Sequence, residues 1–313
     1  MKAIQFRKFG GPDHLELVEM PDPIPGEGEY LIKIKAAGVN PVDWKIREGG
    51  LQSRMHNQLP IIPGWEFSGT ITNRGFSAKR FQVGEDVFSY CRRPWIEKGA
   101  YAEMISVPES YLCPKPKSIT HEEAATVPLA GLTAYQCLFQ ATVCKKGDTV
   151  LILGASGGVG SMATQLAVNA GAHVIAVSSA RNQEYLKNLG AMEWIDYNAG
   201  SIRKALLERK PEGVDIVLDF VGGETFTESL GCIRPGGSIV SILVNTPATN
   251  LNLQSAYIFV EPNVKQLSEL AQLIDEGKLK VHVSEVFSLS EAAKAHEKIS
   301  RLHTRGKIVL KVS

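Results

Sequence analysis

The stretch from Asp148 to Ser178 constrains the fold more than any other. It holds an apolar run (Asp148–Leu153), a glycine-rich turn (Gly154-Ala155-Ser156-Gly157-Gly158-Val159-Gly160), a helix-compatible run to Asn169, and a second apolar run (His173–Ser178). This is the pattern of a βαβ unit, and Ala155-x-Gly157-x-x-Gly160 falls on the turn between its first strand and its helix. A small first residue permits the sharp turn, Gly157 lets backbone approach a pyrophosphate, and Gly160 lets helix pack on strand. The helix then directs its unpaired N–H groups and positive dipole end at the phosphates. The turn therefore predicts a dinucleotide site, with Ser156, Gly157, Gly158 and Val159 facing the phosphates.

The end of the second run discriminates between dinucleotides. An NAD site places Asp or Glu there to accept hydrogen bonds from the adenine ribose. Here the residues are Val177-Ser178-Ser179-Ala180-Arg181, with no acid before Glu184. A carboxylate repels a 2′-phosphate, whereas two hydroxyls and a guanidinium bind it. Ser178, Ser179 and Arg181 thus predict NADPH. If the serines merely open the next helix and Arg181 is a solvated charge, the serines are explained but the missing acid is not.

Beyond this unit the alternation continues. Val214–Phe220 and Gly237–Leu243 read as buried strands, with helical patterns near 159–169, 182–189, 201–208 and 224–231, as in a parallel sheet covered on both faces. Phe220-Val221 and Ile242-Leu243 stand at strand ends on the carboxyl edge, where ligands bind in such sheets, and predict an apolar nicotinamide pocket. Residues 1–115 differ: short strand-like runs are separated by Pro and Gly turns, the texture of a β-barrel-like module. Thr120-His-Glu-Glu123 is a capping box predicting a helix toward Cys137, kinked or restarted at Pro128. Past Pro262, an amphipathic helix (264–275), a strand (280–283), a helix (290–299) and a closing strand from Lys307 are expected. The last segment is expected to return to the first domain.

At 313 residues two domains are the natural prior. A net charge of +1 gives no reason to expect nucleic acid or an acidic membrane as partner. No apolar stretch is long enough to span a bilayer and no signal peptide opens the chain, so a cytoplasmic location is expected. The five cysteines include no C-x-x-C pair, which argues against a disulfide framework or structural zinc. The seven histidines show no ligand or triad spacing.

Several segments together carry a family resemblance. Gly38-Val-Asn40-Pro-Val-Asp43-Trp44-Lys45, Pro63-Gly64-Trp65-Glu66-Phe-Ser-Gly69, Gly99-Ala-Tyr101-Ala-Glu103, Pro128-Leu-Ala-Gly131-Leu-Thr133 and Arg305-Gly306-Lys307-Ile-Val-Leu310 join the turn at 154–160. Over nearly its whole length the chain is similar to the zinc-independent quinone oxidoreductase and enone (alkenal) reductase branch of the medium-chain dehydrogenase/reductase superfamily. It departs from that branch's signature at Val168, where a basic residue or Ser is usual.

The resemblance implies an α/β chain with a GroES-like β-barrel-type catalytic domain (1–120 and 262–313) and a Rossmann doubly wound parallel-sheet domain (121–261). It aligns Asn40, Trp65 and Leu129 with the catalytic zinc ligands of related alcohol dehydrogenases. It leaves only Cys91 in the segment where a four-cysteine lobe would fall. No metal is expected, and the substrate is then a quinone or an α,β-unsaturated carbonyl that accepts hydride without a Lewis acid. Asn40 and Lys45 are the implied catalytic residues, with Lys45 stabilising the enolate or alternatively contacting ribose or phosphate, and Asn40 equally readable as a turn residue before Pro41. Thr133, Tyr197 and Lys307 are implied cofactor contacts.

Trp44 and Trp65 either line the substrate site or fill the first domain's core. The pocket would draw on Trp44 and the segments 49–56, 91–95 and 245–258. A homodimer is implied, through edge strands near Tyr257–Val260. Two other functions stay open: a metal-free alcohol or acyl-thioester reductase, and a crystallin-like protein that binds NADPH without turnover.

Overall fold

The computed structural model describes residues 1–244 and 253–313. The predicted pocket segment 245–258 therefore lies partly outside the described residues. The chain divides into two compact units: Met1–Leu129, Glu261–Gly277 and Val281–Ser313 form unit 1, and Ala130–Val260 with Lys278–Lys280 form unit 2.

Unit 1 is built on Glu29–Val39, whose Tyr30, Ile32 and Ile34 alternate inward while Lys33 is exposed. This strand pairs antiparallel with Glu66–Arg74, Met104–Pro108 and the closing strand Lys307–Lys311, inside a seven-stranded sheet. The chain's last segment therefore does return to the first unit. Phe67, Val87, Ile105, Leu112, Ile308 and Leu310 share one core with the inward side chains of the central strand. Directly after that strand, Asn40 and Pro41 open the helix Pro41–Arg47 (α1), with proline at a position where its missing N–H costs nothing.

One boundary differs from expectation. The strand predicted at 280–283 runs instead from Val283 to Ser288. Lys280 is claimed by unit 2, where its N–H donates to Gln165 Oε1 at 2.7 Å and its carbonyl accepts from Gln165 Nε2 at 3.0 Å. The helix opened by the Thr120 capping box spans His121–Ala124, and, as expected, it restarts at Pro128 and runs to Gln136. Proline cannot continue a helix, and the break belongs to unit 1 because the short helix packs on Glu29–Val39 and Glu66–Arg74.

Unit 2 is a six-stranded, all-parallel sheet. Its strands run in the order Glu193–Asp196, His173–Ser178, Thr149–Leu153, Val214–Asp219, Ile233–Ser241, Gln254–Tyr257. The strand order reverses at Thr149–Leu153 and Val214–Asp219, and the crevice past their carboxyl ends is the ligand position of such folds. The edge strand Glu193–Asp196 is an addition to the sequence reading, and the opposite edge strand, expected near Tyr257–Val260, spans Gln254–Tyr257. All five cysteines are free and buried, as small apolar fillers. Among the described residues no helix is long and apolar enough to cross a membrane.

Candidate functional site

In unit 2 the glycine turn closes the switch-point strand and opens the helix Gly158–Asn169. A Cβ on Gly160 would lie 2.3 Å from the Gly154 carbonyl oxygen and 2.7 Å from Ala155 Cα, so only glycine lets this helix approach the strand. At Gly157 the nearest atom to such a Cβ is 3.4 Å away, so packing alone leaves room for a side chain there. The first intrahelical bond is Ser161 N–H to the Gly157 carbonyl at 2.9 Å. The N–H groups of Gly158, Val159 and Gly160 precede it and are the orphan donors that suit an anion.

Asn182 ties this turn to the end of the second strand, donating to Ser156 Oγ at 3.0 Å and Ser179 Oγ at 3.3 Å. Arg181 is exposed beside them in the turn Ala180–Asn182, and Tyr197 is 41% exposed. Ser178 is differently placed from Ser179. It is buried, accepts from Trp194 Nε1 at 3.0 Å and donates to the Ser179 carbonyl at 3.1 Å, so its hydroxyl is turned into the protein and not toward a phosphate.

At the other side of the switch point a residue that the sequence reading missed organises the expected nicotinamide wall. Buried Asp219 accepts from Val221 N–H (3.0 Å) and Gly222 N–H (2.8 Å) with one oxygen, and from Ser241 Oγ (2.6 Å) with the other. Ser241 Oγ in turn accepts from Leu243 N–H at 3.1 Å. Phe220-Val221 and Ile242-Leu243 are thus the two strand ends that this carboxylate joins, with Val221 and Leu243 about half exposed. Thr133 is buried within Pro128–Gln136.

In unit 1 the motif segments converge on one buried polar cluster. Glu66, fully buried, accepts from Lys307 Nζ (2.8 Å), Asn40 Nδ2 (2.7 Å) and the backbone N–H of Leu129 (2.7 Å). Lys307 also donates to Asn40 Oδ1 and to the Val39 carbonyl. Its three protons are therefore taken within unit 1, where it is 4% exposed, against the cofactor contact expected of it. Gly38 makes room for this arrangement: a Cβ there would fall 2.2 Å from Glu66 Oε1.

α1 hangs from the same cluster. Asp43 Oδ2 accepts from Asn40 N–H at 2.8 Å and from the Tyr101 hydroxyl at 3.1 Å. Tyr101 reaches it because Gly64, at φ +92°, has no side chain; a Cβ would lie 2.3 Å from the Tyr101 ring. Trp44 and Lys45 follow on the helix, half-buried, with Lys45 Nζ 5.8 Å from the Trp44 ring centroid. Burial holds the Lys45 ammonium below the usual lysine range, and no carboxylate pairs with it among the described residues. Trp65 is only 6% exposed and sets its ring at 65° to Tyr90, 6.3 Å between centroids, in the unit's packed interior.

Comparison with known proteins agrees with this architecture. Residues 26–117 match the family model described as alcohol dehydrogenase GroES-like domain, and residues 189–310 that described as zinc-binding dehydrogenase. A chloroplast envelope quinone oxidoreductase homolog of Arabidopsis thaliana is 32% identical, covering 99% of this chain and 98% of that protein. The structure of the quinone oxidoreductase from Coxiella burnetii superposes with a TM-score of 0.90 at 36% identity, covering 100% of this chain and 99% of the other. The Escherichia coli quinone oxidoreductase complexed with NADPH gives a TM-score of 0.90 at 29% identity, covering 99% and 100%. The GroES-like sheet of unit 1, the switch-point glycine turn of unit 2 and these full-length relatives place the chain in the quinone oxidoreductase branch of the medium-chain dehydrogenase/reductase superfamily.

Proposed function

We propose that the protein is an NADPH-dependent oxidoreductase that reduces quinones or α,β-unsaturated carbonyls by hydride transfer without a metal. The observation that carries this reading is the chemistry at the three metal-ligand positions. Asn40 spends its amide on Glu66 and Lys307, and the indole of Trp65 and the isobutyl group of Leu129 offer no lone pair for zinc. The Lys307 ammonium already occupies the oxygens of Glu66, Asn40 and Val39 and would repel a cation. The residues present do not fit a catalytic zinc.

They do fit a nicotinamide dinucleotide. The orphan N–H groups after Gly157 suit the pyrophosphate, and Ser179 and Arg181 suit a 2′-phosphate where an NAD site has an acid. NADPH, when bound, supplies the hydride. Trp44 gives the acceptor an apolar face, and Lys45, a partly desolvated ammonium with no carboxylate partner among the described residues, stabilises the negative charge that develops on its oxygen. The proposal includes a homodimer; the parallel-sheet edge Gln254–Tyr257 offers a surface for it.

Chelator-treated protein should oxidise NADPH with a quinone or an enone and not with a simple aldehyde. Absence of turnover with every acceptor while NADPH still binds would leave a cofactor-binding protein instead. The cofactor choice has its own check. Arg181→Glu should weaken NADPH binding about 10- to 100-fold, the worth of one charge-assisted bond, and leave NADH nearly unchanged. Equal effects on both cofactors would refute the 2′-phosphate assignment.

A further inference from the structure

Asp43 has no counterpart among the cofactor or substrate contacts proposed above, yet it is fully buried at the start of the helix that carries Trp44 and Lys45. Two donors from different parts of unit 1 converge on one of its oxygens: the Asn40 N–H, where the central strand ends, and the Tyr101 hydroxyl, from the motif 99–103. The other oxygen, Oδ1, is buried without a hydrogen-bond partner among the described residues. An oxygen left unpaired in the interior is costly, so the carboxylate is held at a price in stability that its position must justify. We propose that Asp43 is the positioning residue of the substrate helix: clamped by Asn40 and Tyr101, it fixes the first turn of α1 and thereby the placement of Lys45 and Trp44. The inference rests on the reductase reading for its catalytic consequence, but not for the clamp itself.

The electrostatic surroundings make the clamp titrate. Burial pushes the Asp43 carboxyl up to about 7, against the lowering effect of the two hydrogen bonds; Glu66 adds to the rise and Lys307 opposes it. Tyr101 is held well above the usual phenol range by burial and by Asp43, so it stays a donor throughout. From the helix Ala292–Ser300, packed on α1, the ring of His296 lies edge-on to Tyr101 at 5.6 Å. Burial, then the Arg47 guanidinium 3.1 Å from its Nδ1, pushes His296 down to about 3, so it remains neutral near pH 7. The neutral acid accepts from Asn40 and Tyr101 more weakly than the carboxylate does. Hence the clamp tightens as pH rises through about 7 and loosens below it.

The test compares wild type with Asp43→Asn, which keeps an acceptor oxygen for both donors but cannot ionise. Two readouts are followed between about pH 6 and 8.5: hydrogen exchange of the peptide 40–50, corrected for intrinsic rates, and kcat for NADPH oxidation. In wild type, protection of 40–50 should rise through about pH 7 and kcat should rise about fivefold, as charge-assisted bonds replace neutral ones, with the acceptor KM little changed. Asp43→Asn should hold both readouts near the wild-type acid value at every pH, and Asp43→Ala should fall below it. Exchange of 40–50 that ignores pH in wild type, or a wild-type profile retained in Asp43→Asn, overturns the inference. Exchange that follows pH in a protein with no turnover sinks the reductase reading and leaves the clamp standing.

Discussion

Replacing Lys307 with methionine should destabilise the protein by about 3–5 kcal/mol, because it strands the fully buried Glu66 carboxylate without its cation. Two hydrogen bonds to Glu66 survive in that variant, from Asn40 and Leu129, but neither neutralises a charge that water cannot reach. The loss should appear as a lower urea midpoint at unchanged m-value. Pairing it with Glu66→Gln removes the stranded charge while keeping an acceptor for the Leu129 N–H. The double variant should recover most of the lost stability, since a buried ion pair is often nearly neutral against an uncharged replacement of similar volume. A double variant as unstable as the single one would mean that Lys307 contributes through its packing and not through its charge.

The second large effect concerns chemistry, not stability. Lys45→Met should lower kcat/KM for a quinone or enone by about 10²- to 10³-fold, the range seen when one preorganised donor to a developing oxyanion is removed. Methionine preserves the stem that packs beside Trp44, so folding and NADPH affinity should stay close to wild type. The expectation follows from the state of the ammonium: partly desolvated, over an indole, and unmatched by any carboxylate among the described residues. Loss of NADPH affinity with unchanged kcat would reassign Lys45 to the ribose or phosphate.

What the sequence made legible is what depends on local pattern. The βαβ turn, the His173–Ser178 strand and the helix Val264–Asp275 are short-range periodicities, and the structure places them at the expected residues. The return of the chain to unit 1 followed from length, since the final segment has no place in the nucleotide sheet. The Glu66 cluster was hidden for the opposite reason. Lys307 and Glu66 are 241 residues apart in the chain, and no periodicity pairs a charge in one motif with a charge in another. The inward hydrogen bond of Ser178 was hidden because its strand's neighbour, Glu193–Asp196, was not anticipated, and that strand supplies the Trp194 donor. Asp219 left a faint trace as an acid at the end of an apolar strand. Its grip on two strand ends appears only once Val214–Asp219 and Ile233–Ser241 lie side by side.

Metal-free hydride transfer from NADPH is tested most directly by following the hydride itself. Chelator-treated protein is given NADPH carrying deuterium at the transferring C4 position together with an α,β-unsaturated ketone, and the product is examined by mass spectrometry and NMR. Hydride transfer without a metal yields a saturated ketone with one deuterium on the β-carbon and no requirement for added zinc. A product without that deuterium, or turnover that appears only when zinc is restored, would contradict it.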